Sequence, residues 1–415
     1  MIQKPKGTFD ILPNESKKRD YVLNIIKKIC NKFDFKEITT PIFEYSELFF
    51  RSVGETSDIV NKETYTFTDR GDRSITLRPE GTAGVVRSYI ENKLYANNEV
   101  SKLFYYGPIF RYERPQKGRY RQFNQFGVEA INSFDPLLDV EVINLLYNIL
   151  KELGLKEILV RINTIGDIES RIEYKKQLKE YLKNDINNFC NDCKKRYELN
   201  PLRILDCKID KDKLIDPPKI KDYLNKESQE HFKKVLEYLD TLNIKYVIDD
   251  KLVRGLDYYT HTVFEIESKI EGFGSNNVIA AGGRYNNLIK ELQGPEVGSV
   301  GFAFGMERLL EAMECENLFN IPLDYLDFFI VSFNEKNETI KLLNYLRNNN
   351  LKGDIDYQNR SFKSQLKLAD QLKSKYIIIY GENEIKNKKV QIKNTETKNQ
   401  EEIDINNLVS YIKGE

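Results

Sequence analysis

The sequence predicts an α+β protein in which a β-rich body, interrupted by a helical insertion, is followed by a smaller α/β domain. Three observations lead to this fold class. Short β-rich runs, separated by turns rich in Gly, Asp and Arg, occupy residues 36–129 and return after residue 246. Between these stretches, residues 167–245 are strongly charged and mostly helical in pattern. After residue 322, strand and helix patterns alternate, which is typical of an α/β domain.

Length and composition agree with this organisation. The chain has 415 residues, which at roughly 150 residues per domain suggests two or three domains. Hydrophobic residues make up 40% and charged residues 31%, so the chain has enough apolar material for packed cores. The 64 Lys and Arg residues balance the 64 Asp and Glu residues. This balance argues against a wholly basic DNA-coating protein and leaves local basic patches open.

Each element of the body has its own local signal. Apolar residues at helical spacing, among them Val22, Ile26 and Ile29, predict an amphipathic helix over residues 15–33. Aromatic and β-branched runs predict an antiparallel sheet. These runs are residues 64–67, 74–77, 103–106 and 121–126, and they are followed by a predicted helix over 135–153 and a strand over 158–162.

The rest of the chain divides into further segments. The insertion has predicted helices over residues 167–183 and 227–242, joined by a loop-rich stretch. The C-terminal domain has the order β-α-β-α-β-β-α, a mostly parallel sheet and a boundary near 322–326. Its predicted strands are 327–333, 354–357, 375–380 and 388–393, and its predicted helices are 335–348, 361–373 and 403–413. The expected domains are 1–166 and 246–322 for the two parts of the body, 167–245 for the insertion and 326–415 for the C-terminal domain.

Several sequence signals are missing. No run approaches the roughly 18 apolar residues of a membrane helix, and the N-terminus lacks the apolar core of a signal peptide. Five cysteines, an odd number, fit a reducing compartment better than a disulfide scaffold. We therefore expect a cytoplasmic protein with no membrane partner. The two histidines, His231 and His261, exclude a His-rich metal site, and a histidine-based triad would depend on one of them.

The densest chemical signal lies in residues 110–123. The eleven residues from Arg111 to Arg121 carry five cations and one carboxylate, a net charge of +4, between two strand-like runs. We interpret them as a long hairpin that presents guanidinium groups, whose forks match phosphate oxygens. A merely solvated charged hairpin is less favoured. Gly118 and Tyr120 lie among the cations, and a hairpin that served only solubility would not need a flat aromatic surface.

Residues 77–83 form the second candidate segment. They read as a strand that enters a Pro-Glu-Gly-Thr turn and then a helix. Glu80 and Thr82 could therefore point a carboxylate and a hydroxyl into a pocket at the helix start. Alternatively, Thr82 simply caps the helix, and both interpretations remain open.

Three later segments complete the pattern. Within residues 252–260, strand alternation would place one of Tyr258 and Tyr259 in the core and let the other reach a ligand. In residues 281–285, a glycine pair allows a close approach of the backbone to a neighbouring group. Residues 301–308 read as a glycine-flanked strand that leads into a helix, with ordinary punctuation and a solvated Arg308 as the alternative.

In this order, the segments resemble those of class II aminoacyl-tRNA synthetases. Phe110–Glu113 is similar to motif 2 of that class, Gly305–Arg308 to motif 3 and Thr40-Pro41 to the motif 1 proline. The resemblance implies an antiparallel-sheet catalytic domain flanked by helices. It also implies a C-terminal anticodon-binding domain and a homodimer.

Two further segments narrow the resemblance to the histidyl-tRNA synthetase family. Leu252–Tyr259 and Ala281–Tyr285 are similar to its two signature motifs, and the likeness extends over nearly the whole chain. One departure is Asn286-Asn287, where Asp-Gly is expected. The resemblance implies a histidine--tRNA ligase, which forms histidyl-adenylate and pyrophosphate from L-histidine and ATP. Histidine is then transferred to the 3′ end of its tRNA, and Mg²⁺ is expected with the ATP phosphates.

The resemblance also implies roles for individual residues. Arg111 would hold the α-phosphate of ATP and the carboxylate of histidine, and Arg254 would stabilise charge on the α-phosphate from the opposite side. These two are the expected catalytic residues. Glu80, Gly81, Thr82 and Gln125 would surround the α-ammonium group, Glu129 and Tyr259 the two imidazole nitrogens, and Tyr258 and Tyr285 the rest of the histidine pocket. Glu113 and Phe123 would contact adenine, and Arg119 and Arg308 the outer phosphates or the other face of the ring.

Cysteines and His261 receive less specific expectations. Cys190, Cys193 and Cys207 provide three thiols with no evident fourth ligand, so we expect free or packing thiols and do not favour zinc. His261 is expected to be structural. The insertion is expected to clamp the acceptor arm of the tRNA.

Three alternatives remain in view. The first is the synthetase-like regulatory subunit of histidine biosynthesis, which lacks an anticodon domain. The second is another class II synthetase, charging proline, threonine or glycine, and the segments around Arg254 and Tyr285 argue against it. The third is a general RNA-binding protein, which would not need Glu80, Gln125 and Glu129.

Overall fold

A computed structural model describes residues 2–53, 59–114, 118–268, 270, 273, 277–321 and 325–414. The chain forms two compact units, Met1–Asn320 and Ile321–Glu415. The predicted α+β class is confirmed, since a large sheet, flanking helices and a smaller mixed C-terminal sheet are all present. Residues 322–324, within the predicted boundary, lie outside the described part.

The strands of the first unit form a large sheet and a small one. The large sheet has eight strands and the small one has three within the described residues. In chain order the strands are β1 (Lys36–Glu37), β2 (Phe43–Tyr45), β3 (Tyr65–Thr68), β4 (Ser74–Leu77), β5 (Ser101–Phe110), β6 (Gln122–Ile131), β7 (Ile158–Thr164), β8 (Tyr246–Ile248), β9 (Thr260–Ser268), β10 (Val278–Arg284) and β11 (Ser299–Gly305).

The strand order of the large sheet is β1-β5-β6-β11-β10-β9-β7-β8, and the small sheet is β2-β4-β3. The central strands of the large sheet are antiparallel, as predicted, and only the edge pairs β1–β5 and β7–β8 are parallel. The predicted runs 64–67 and 74–77 pair with each other in the small sheet. The sequence patterns therefore identified the strands but not their division between two sheets.

Three helices of the first unit begin at a residue whose side chain caps them. Asp135, Asp167 and Asn225 each accept a hydrogen bond from a backbone N–H in the first turn of the helix that follows. The helices are α1 (Pro13–Lys32), α2 (Ser46–Val53), α3 (Thr82–Glu91), α4 (Pro136–Glu152), α5 (Ile168–Leu182), α6 (Asn191–Leu199), α7 (Lys226–Thr241), α8 (Leu288–Glu291) and α9 (Met306–Cys315).

The main core lies between one face of the large sheet and helices α1, α4, α7 and α9. On strand β6, Phe126, Val128 and Ala130 belong to this core. Successive side chains of a strand point to opposite faces, so Gln125 and Glu129 point away from the helices. The polar side chains of β6 therefore lie on the second face of the sheet, opposite the core.

The predicted insertion contributes to two cores. Its helix α5 and the turns near residues 201–224 form a second apolar cluster together with Tyr258 and Tyr285. Helix α7 instead packs on α4, and its Val235 and Leu239 belong to the main core. Helix α6 occupies part of the stretch that was predicted to be loop-rich. A separate insertion domain over 167–245 stays a prediction.

The second unit has a five-stranded sheet with order β13-β12-β14-β15-β16. Buried Phe328, Ile330 and Ile378 pack on one face, and buried Phe329 and Ile377 on the other. Its elements are β12 (Leu326–Val331), α10 (Lys336–Asn348), β13 (Gly353–Ile355), α11 (Phe362–Gln371), β14 (Ser374–Ile379), α12 (Glu382–Asn387), β15 (Lys389–Asn394), β16 (Gln400–Asp404) and α13 (Leu408–Lys413).

The prediction of a mostly parallel sheet is wrong for this unit. Strand β12 is parallel to β13 and β14, but β14–β15 and β15–β16 are antiparallel. The connections explain the difference, because the short helix α12 and the turn at residues 395–399 cannot make a parallel crossover. The pattern near 403 is the end of β16, and the last helix begins later, at Leu408.

Candidate active site

A cavity of about 730 Å³ opens on the face of the large sheet that points away from α4. It brings together segments that are far apart in the sequence. Thirteen of the predicted site residues line it: Glu80, Thr82, Arg111, Glu113, Arg119, Phe123, Gln125, Glu129, Arg254, Tyr258, Tyr259, Tyr285 and Arg308. Gly81 does not line the cavity. A Cβ atom at Gly81 would lie 2.1 Å from the ring of Tyr105, so this glycine makes room for a cavity-lining tyrosine.

Strand β6 supplies three of these residues from one face. Phe123, Gln125 and Glu129 occupy odd-numbered positions and share the face opposite the core. Glu129 is directly opposite Gly301 in the register of β6 and β11. A Cβ atom at Gly301 would lie 2.2 Å from Glu129 Oε2, so the glycine leaves space for the carboxylate.

Glu129 is the buried centre of one end of the cavity. Thr82 Oγ1 donates to Glu129 Oε1 over 2.7 Å, and the hydroxyl of Tyr285 donates to Oε2. Burial raises the pKa of Glu129 to about 8, against the opposing effect of these two hydrogen bonds. The site therefore holds a carboxyl group that changes charge near neutral pH.

Glu80 and Thr82 settle the question of helix capping. The Glu80 carboxylate accepts hydrogen bonds from the backbone N–H groups of Thr82 and Ala83, at 2.7 and 2.8 Å. Glu80 therefore caps α3, and the alternative in which Thr82 caps it is wrong, because the Thr82 hydroxyl is used by Glu129. Burial raises the pKa of Glu80, while the two backbone donors act in the opposite direction.

Tyr258 and Tyr259 lie in a loop and not in the strand that was predicted. Strand β9 begins only at Thr260. The preceding loop is held by side chains, since Arg203 Nη1 donates to the carbonyl of Gly255 over 2.6 Å. The two tyrosine rings contact each other, with centroids 4.8 Å apart, and both are buried and line the cavity. The prediction that strand alternation places one of the two rings in the core and the other at a ligand is therefore wrong.

The glycine pair in β10 allows the close approach that was predicted. A Cβ atom at Gly282 would lie 2.2 Å from the carbonyl oxygen of Gly301 on β11. At Gly283 it would lie 2.8 Å from the ring of Tyr259. The two glycines thus allow strand β11 and the ring of Tyr259 to approach β10 closely. The adjoining Arg284 is fully buried in an ion pair with Asp139.

Arg111 continues the hairpin formed by β5 and β6. Its backbone N–H donates to the carbonyl of Arg121, which extends the ladder beyond the last strand pair. Its side-chain Nε donates to the carbonyl of Pro79 over 2.8 Å. The guanidinium carbon lies 5.5 Å from the ring centroid of Phe123. The hydrogen bond to Pro79 fixes Nε and leaves the two terminal nitrogens of the Arg111 guanidinium at the cavity.

Other charged groups of the hairpin lie beside this fork. Glu113 Oε1 is 3.9 Å from Arg111 Nη1, and its Oε2 is 3.4 Å from Arg119 Nη1. Arg121 stacks on the ring of Tyr112, at 3.9 Å from the centroid. Pro115–Lys117, which include one of the five predicted cations, lie outside the described residues.

Arg308 is anchored and not simply solvated. Its Nε donates to the carbonyl of Val278 over 2.9 Å, and its guanidinium carbon lies 4.4 Å from the ring centroid of Phe273. Burial lowers the pKa of Arg308. Arg308 therefore presents a positioned guanidinium at the cavity, and the interpretation as ordinary punctuation is wrong for this residue.

Arg254 forms an ion pair with Glu265 of strand β9. Burial disfavours the charge of this guanidinium, but the Glu265 carboxylate outweighs it, and the pKa of Arg254 is raised. Its guanidinium carbon is 5.9 Å from the ring centroid of Tyr259. Arg254 is thus held charged at the wall of the cavity.

Some buried polar atoms of the lining residues lack hydrogen-bond partners. Among the described residues, these include Gln125 Oε1, Arg254 Nε and Arg308 Nη2. Leaving a buried polar atom unpaired costs free energy, so such atoms are expected where a polar ligand binds. Their positions at both ends of the cavity indicate a ligand with several polar groups.

Sequence reasoning missed several residues at the cavity. Tyr105, Arg203 and Asp206 line it, and Glu265 pairs with Arg254. Tyr105 could have been found, because it lies at an odd position of a strand that pairs with β6. Arg203 and Asp206 belong to the insertion, and no local signal connects them to a site. His261 is not part of this lining, in agreement with a structural role.

The family becomes clear when the chain is compared with known proteins. A model of the histidyl-tRNA synthetase family matches residues 7–309. The chain belongs to the histidyl-tRNA synthetase family. A model of the anticodon binding domain matches residues 327–415.

Full-length relatives agree with this family. The histidine--tRNA ligase of Macrococcus caseolyticus is 51% identical over 419 residues and is covered, like this chain, at 100%. That of Anoxybacillus flavithermus is 48% identical, with 99% of both chains covered. The crystal structure of S. aureus histidyl-tRNA synthetase in its apo form aligns over 100% of both chains with a TM-score of 0.84 and 44% identity.

These matches confirm the predicted family, fold class and enzyme class, that of the aminoacyl-tRNA ligases, and the predicted histidine--tRNA ligase function. They favour this family over the regulatory subunit, the other class II synthetases and the general RNA-binding protein. Within the described residues, no helix has the length and apolarity that a membrane crossing requires.

Proposed function

We propose that the cavity of the first unit carries out both steps of histidine ligation to tRNA. In the first step, a carboxylate oxygen of L-histidine attacks the α-phosphorus of ATP, and the bond to pyrophosphate breaks. In the second, a hydroxyl of the terminal ribose of the tRNA attacks the histidyl carbonyl, and AMP leaves. The observation that carries this proposal is that a buried carboxylate and tyrosine cluster and a group of arginines line one and the same cavity.

The carboxylate and tyrosine end is proposed to bind histidine. Glu129 and Tyr259 would each pair with one imidazole nitrogen, because a carboxylate and a phenol can satisfy both. Tyr258 and Tyr285 would enclose the ring. Glu80, Thr82 and Gln125 would surround the α-ammonium group. The unpaired Gln125 Oε1 supports this assignment, since an ammonium group is a donor that would satisfy it.

The arginine end is proposed to bind ATP. Arg111 would contact the α-phosphate and the carboxylate of histidine, because its Nε is occupied by Pro79 while its terminal nitrogens remain at the cavity. Glu113 would accept from the adenine amine, and Phe123 would stack on the ring. Arg119 and Arg308 would contact the outer phosphates.

Arg254 is proposed to stabilise charge that develops on the α-phosphate. The attacking group belongs to the substrate, so the protein needs no nucleophile and acts by positioning and charge stabilisation. Arg254 fits this role because Glu265 holds it charged and oriented, while its Nε has no hydrogen-bond partner in the described chain. Arg111 and Arg254 are therefore the proposed catalytic residues.

Mg²⁺ is proposed to enter with ATP. Mg²⁺ usually takes oxygen ligands from phosphates, water and one or two carboxylates. Glu307 lines the cavity next to Arg308. Its Oε1 is paired with Arg19, but its Oε2 accepts one hydrogen bond, from the backbone N–H of Asn124, and keeps a lone pair that could be offered to the ion. When bound, it would neutralise charge on the outer phosphates.

The remaining parts are proposed to serve the tRNA and assembly. The second unit would bind the anticodon, and the insertion would clamp the acceptor arm. A homodimer is proposed to form across the motif 1 region, where exposed Ile42, Phe43, Tyr45 and Phe67 form an apolar surface around strands β2 and β3. Cytoplasmic localisation is proposed from the expected site of protein synthesis.

Pyrophosphate exchange into ATP tests the first step. Each of the twenty amino acids is offered separately to the purified chain. Exchange with histidine alone is expected, because a pocket that pairs both imidazole nitrogens rejects side chains that lack them. Absence of exchange with any amino acid, from folded protein that still binds histidine, would instead support the regulatory subunit.

A further inference from the structure

Three cysteines and one aspartate converge beside the cavity. Cys190 precedes the first turn of α6, and Cys193 lies within that turn. Cys207 and Asp210 follow after two short turns of the chain. The three Sγ atoms and a carboxylate oxygen of Asp210 all lie within 4.8 Å of one another. The fold therefore places a carboxylate beside the three thiols, where the sequence showed no fourth donor.

The distances match those of a tetrahedral zinc site. Cys190 Sγ is 3.8 Å from Cys207 Sγ, and Cys207 Sγ is 3.6 Å from Asp210 Oδ2. With Zn–S bonds of about 2.3 Å and Zn–O bonds of about 2.0 Å, tetrahedral angles give edges of about 3.8 Å and 3.5 Å. One ion at the centre would thus satisfy these ligands without a large movement of the chain.

The carboxylate is already held in place. The backbone N–H of Cys190 donates to Asp210 Oδ2 over 2.9 Å, and the ammonium group of Lys213 lies 2.8 Å from Oδ1. Asp210, Cys193 and Cys207 are buried. Contacts of this kind orient metal ligands, and an oxygen that accepts one N–H keeps a lone pair for a metal.

We propose that Cys190, Cys193, Cys207 and Asp210 bind one zinc ion. Thiolates select soft or borderline metals such as zinc over magnesium or calcium. Four protein ligands close the coordination sphere, which is typical of a structural site. This proposal replaces the expectation of thiols without a metal, which was based on the absence of a fourth ligand.

The site would position a segment that supports the loop of Arg254. Between Cys193 and Cys207, Asn200 Nδ2 donates to Asp257 Oδ1 over 2.8 Å, and Arg203 Nη1 donates to the Gly255 carbonyl. Both contacts hold the chain immediately after Arg254, at Gly255 and Asp257. A metal that fixes the segment would therefore stabilise the loop. The four proposed metal ligands would not touch the reacting atoms, so they are positioning residues.

Metal content tests the proposal directly. The chain is purified with a non-chelating phosphine reductant, incubated with zinc and dialysed, and its zinc is then measured. About one equivalent per chain is expected, as for a closed four-ligand site. Cys207→Ser is expected to reduce the zinc to the level of a buffer blank. Cys315→Ser is the matched control, since Cys315 is exposed and lies outside the cluster, and should retain the full content.

Cobalt substitution covers the case in which Cys207→Ser fails to fold. Co²⁺ added to the reduced, metal-free chain should give thiolate charge-transfer bands and the visible absorption of tetrahedral cobalt. Zinc should remove both signals. Wild-type protein with no zinc above the blank and no cobalt–thiolate bands would overturn the proposal. Equal zinc in the wild type and in folded Cys207→Ser would also overturn it, because the ion would then be bound elsewhere.

The positioning role has its own readout. Removal of zinc with a chelator should lower the kcat of pyrophosphate exchange more than it raises the KM for histidine, and added zinc should restore kcat. An unchanged kcat in verified metal-free protein would refute the link to the Arg254 loop. The metal measurement itself does not depend on histidine ligation, so failure of the two proposals can be distinguished.

Discussion

The two ends of the cavity differ in how far their charged groups are withdrawn from water. At the proposed histidine end, Glu129 is 1% exposed, and two hydroxyl groups already donate to it. At the proposed ATP end, the side chain of Arg119 is 42% exposed and its contact with Glu113 is long, at 3.4 Å. We call the first the dry end, and the second, which is open to water and loosely paired at Arg119, the wet end.

This difference matches the two ligands. Histidine is small, and selection between amino acids requires buried partners that are costly to leave unpaired. ATP carries several negative charges, and exposed arginine forks can attract and adjust to them without a large desolvation penalty. Substitutions at the dry end should therefore have larger and more ligand-specific effects. Arg254 lies where the two functions meet.

The largest effect is expected for Arg254→Ala. Loss of a preorganised donor to transition-state charge typically lowers kcat by about 10²–10³-fold, and the upper value is expected here because Glu265 holds the group rigidly. The KM for histidine should change by only a few-fold. Pyrophosphate exchange measured over a range of histidine concentrations separates kcat from KM.

A control is needed because Arg254→Ala leaves the Glu265 carboxylate without its ion-pair partner. Arg254→Ala combined with Glu265→Gln removes that unpaired charge and should restore the melting temperature without restoring kcat. Recovery of kcat in the double variant would show that Arg254 acts through stability. Histidine binding that collapses as far as kcat would contradict the proposed role.

The second effect tests the dry end alone. Glu129→Gln keeps the shape of the side chain but removes the charge that would accept the imidazole N–H. Hydrogen bonds to charged groups contribute about 1.5–3 kcal/mol, so the KM for histidine should rise by about 10²-fold. The KM for ATP should remain near its wild-type value. A similar increase for both substrates would erase the distinction between the two ends.

Much of this site could be predicted from the sequence because short motifs encode it. The odd positions of β6 follow from strand alternation once the strand is identified, and Arg111 follows from the density of cations in the hairpin. Pairing across the chain was harder. Asp210 accepts a hydrogen bond from the backbone N–H of Cys190 because the turns after α6 reverse the direction of the chain. No pattern in the sequence predicts that reversal.

Local propensity also misled where long-range contacts decide the backbone. Aromatic residues at 258–259 favour a strand. The chain instead forms a loop, because Arg203 and Asn200 provide hydrogen bonds to it that a sheet neighbour would otherwise supply. In the second unit, the turn after Asn394 forms an antiparallel hairpin, although the β-α alternation before it favoured parallel pairing. Both errors concern tertiary context and not the identity of the elements.

The third prediction uses pH to sharpen the difference between the two ends. Burial raises the pKa of Glu129 to about 8, so only about a tenth of this group is ionised at pH 7. Binding of a neutral imidazole N–H favours the ionised form and therefore releases the proton. The KM for histidine should fall by close to tenfold per pH unit from pH 6.5, where the substrate imidazole itself becomes neutral, and level off above pH 8.

The same titration in Glu129→Gln provides the comparison, because this side chain has no proton to release. Its KM for histidine should be nearly flat over this pH range. A wild-type KM that rises with pH would mean that protonated Glu129 binds histidine as a donor, and the proposed pairing would be reversed.

The smallest effect is expected at the wet end, for Phe123→Ala. Stacking of a base on an aromatic side chain contributes about 1–3 kcal/mol, and the lower value, about fivefold in the KM for ATP, is expected because one face of the ring is already near the Arg111 guanidinium. The KM for histidine should stay unchanged. Phe123→Tyr retains the aromatic face and should bind ATP like the wild type. An increase of 10³-fold or more in Phe123→Ala would show that the wet end is as finely fitted as the dry end, because that is about 4 kcal/mol, more than the loss of one stacked ring can account for.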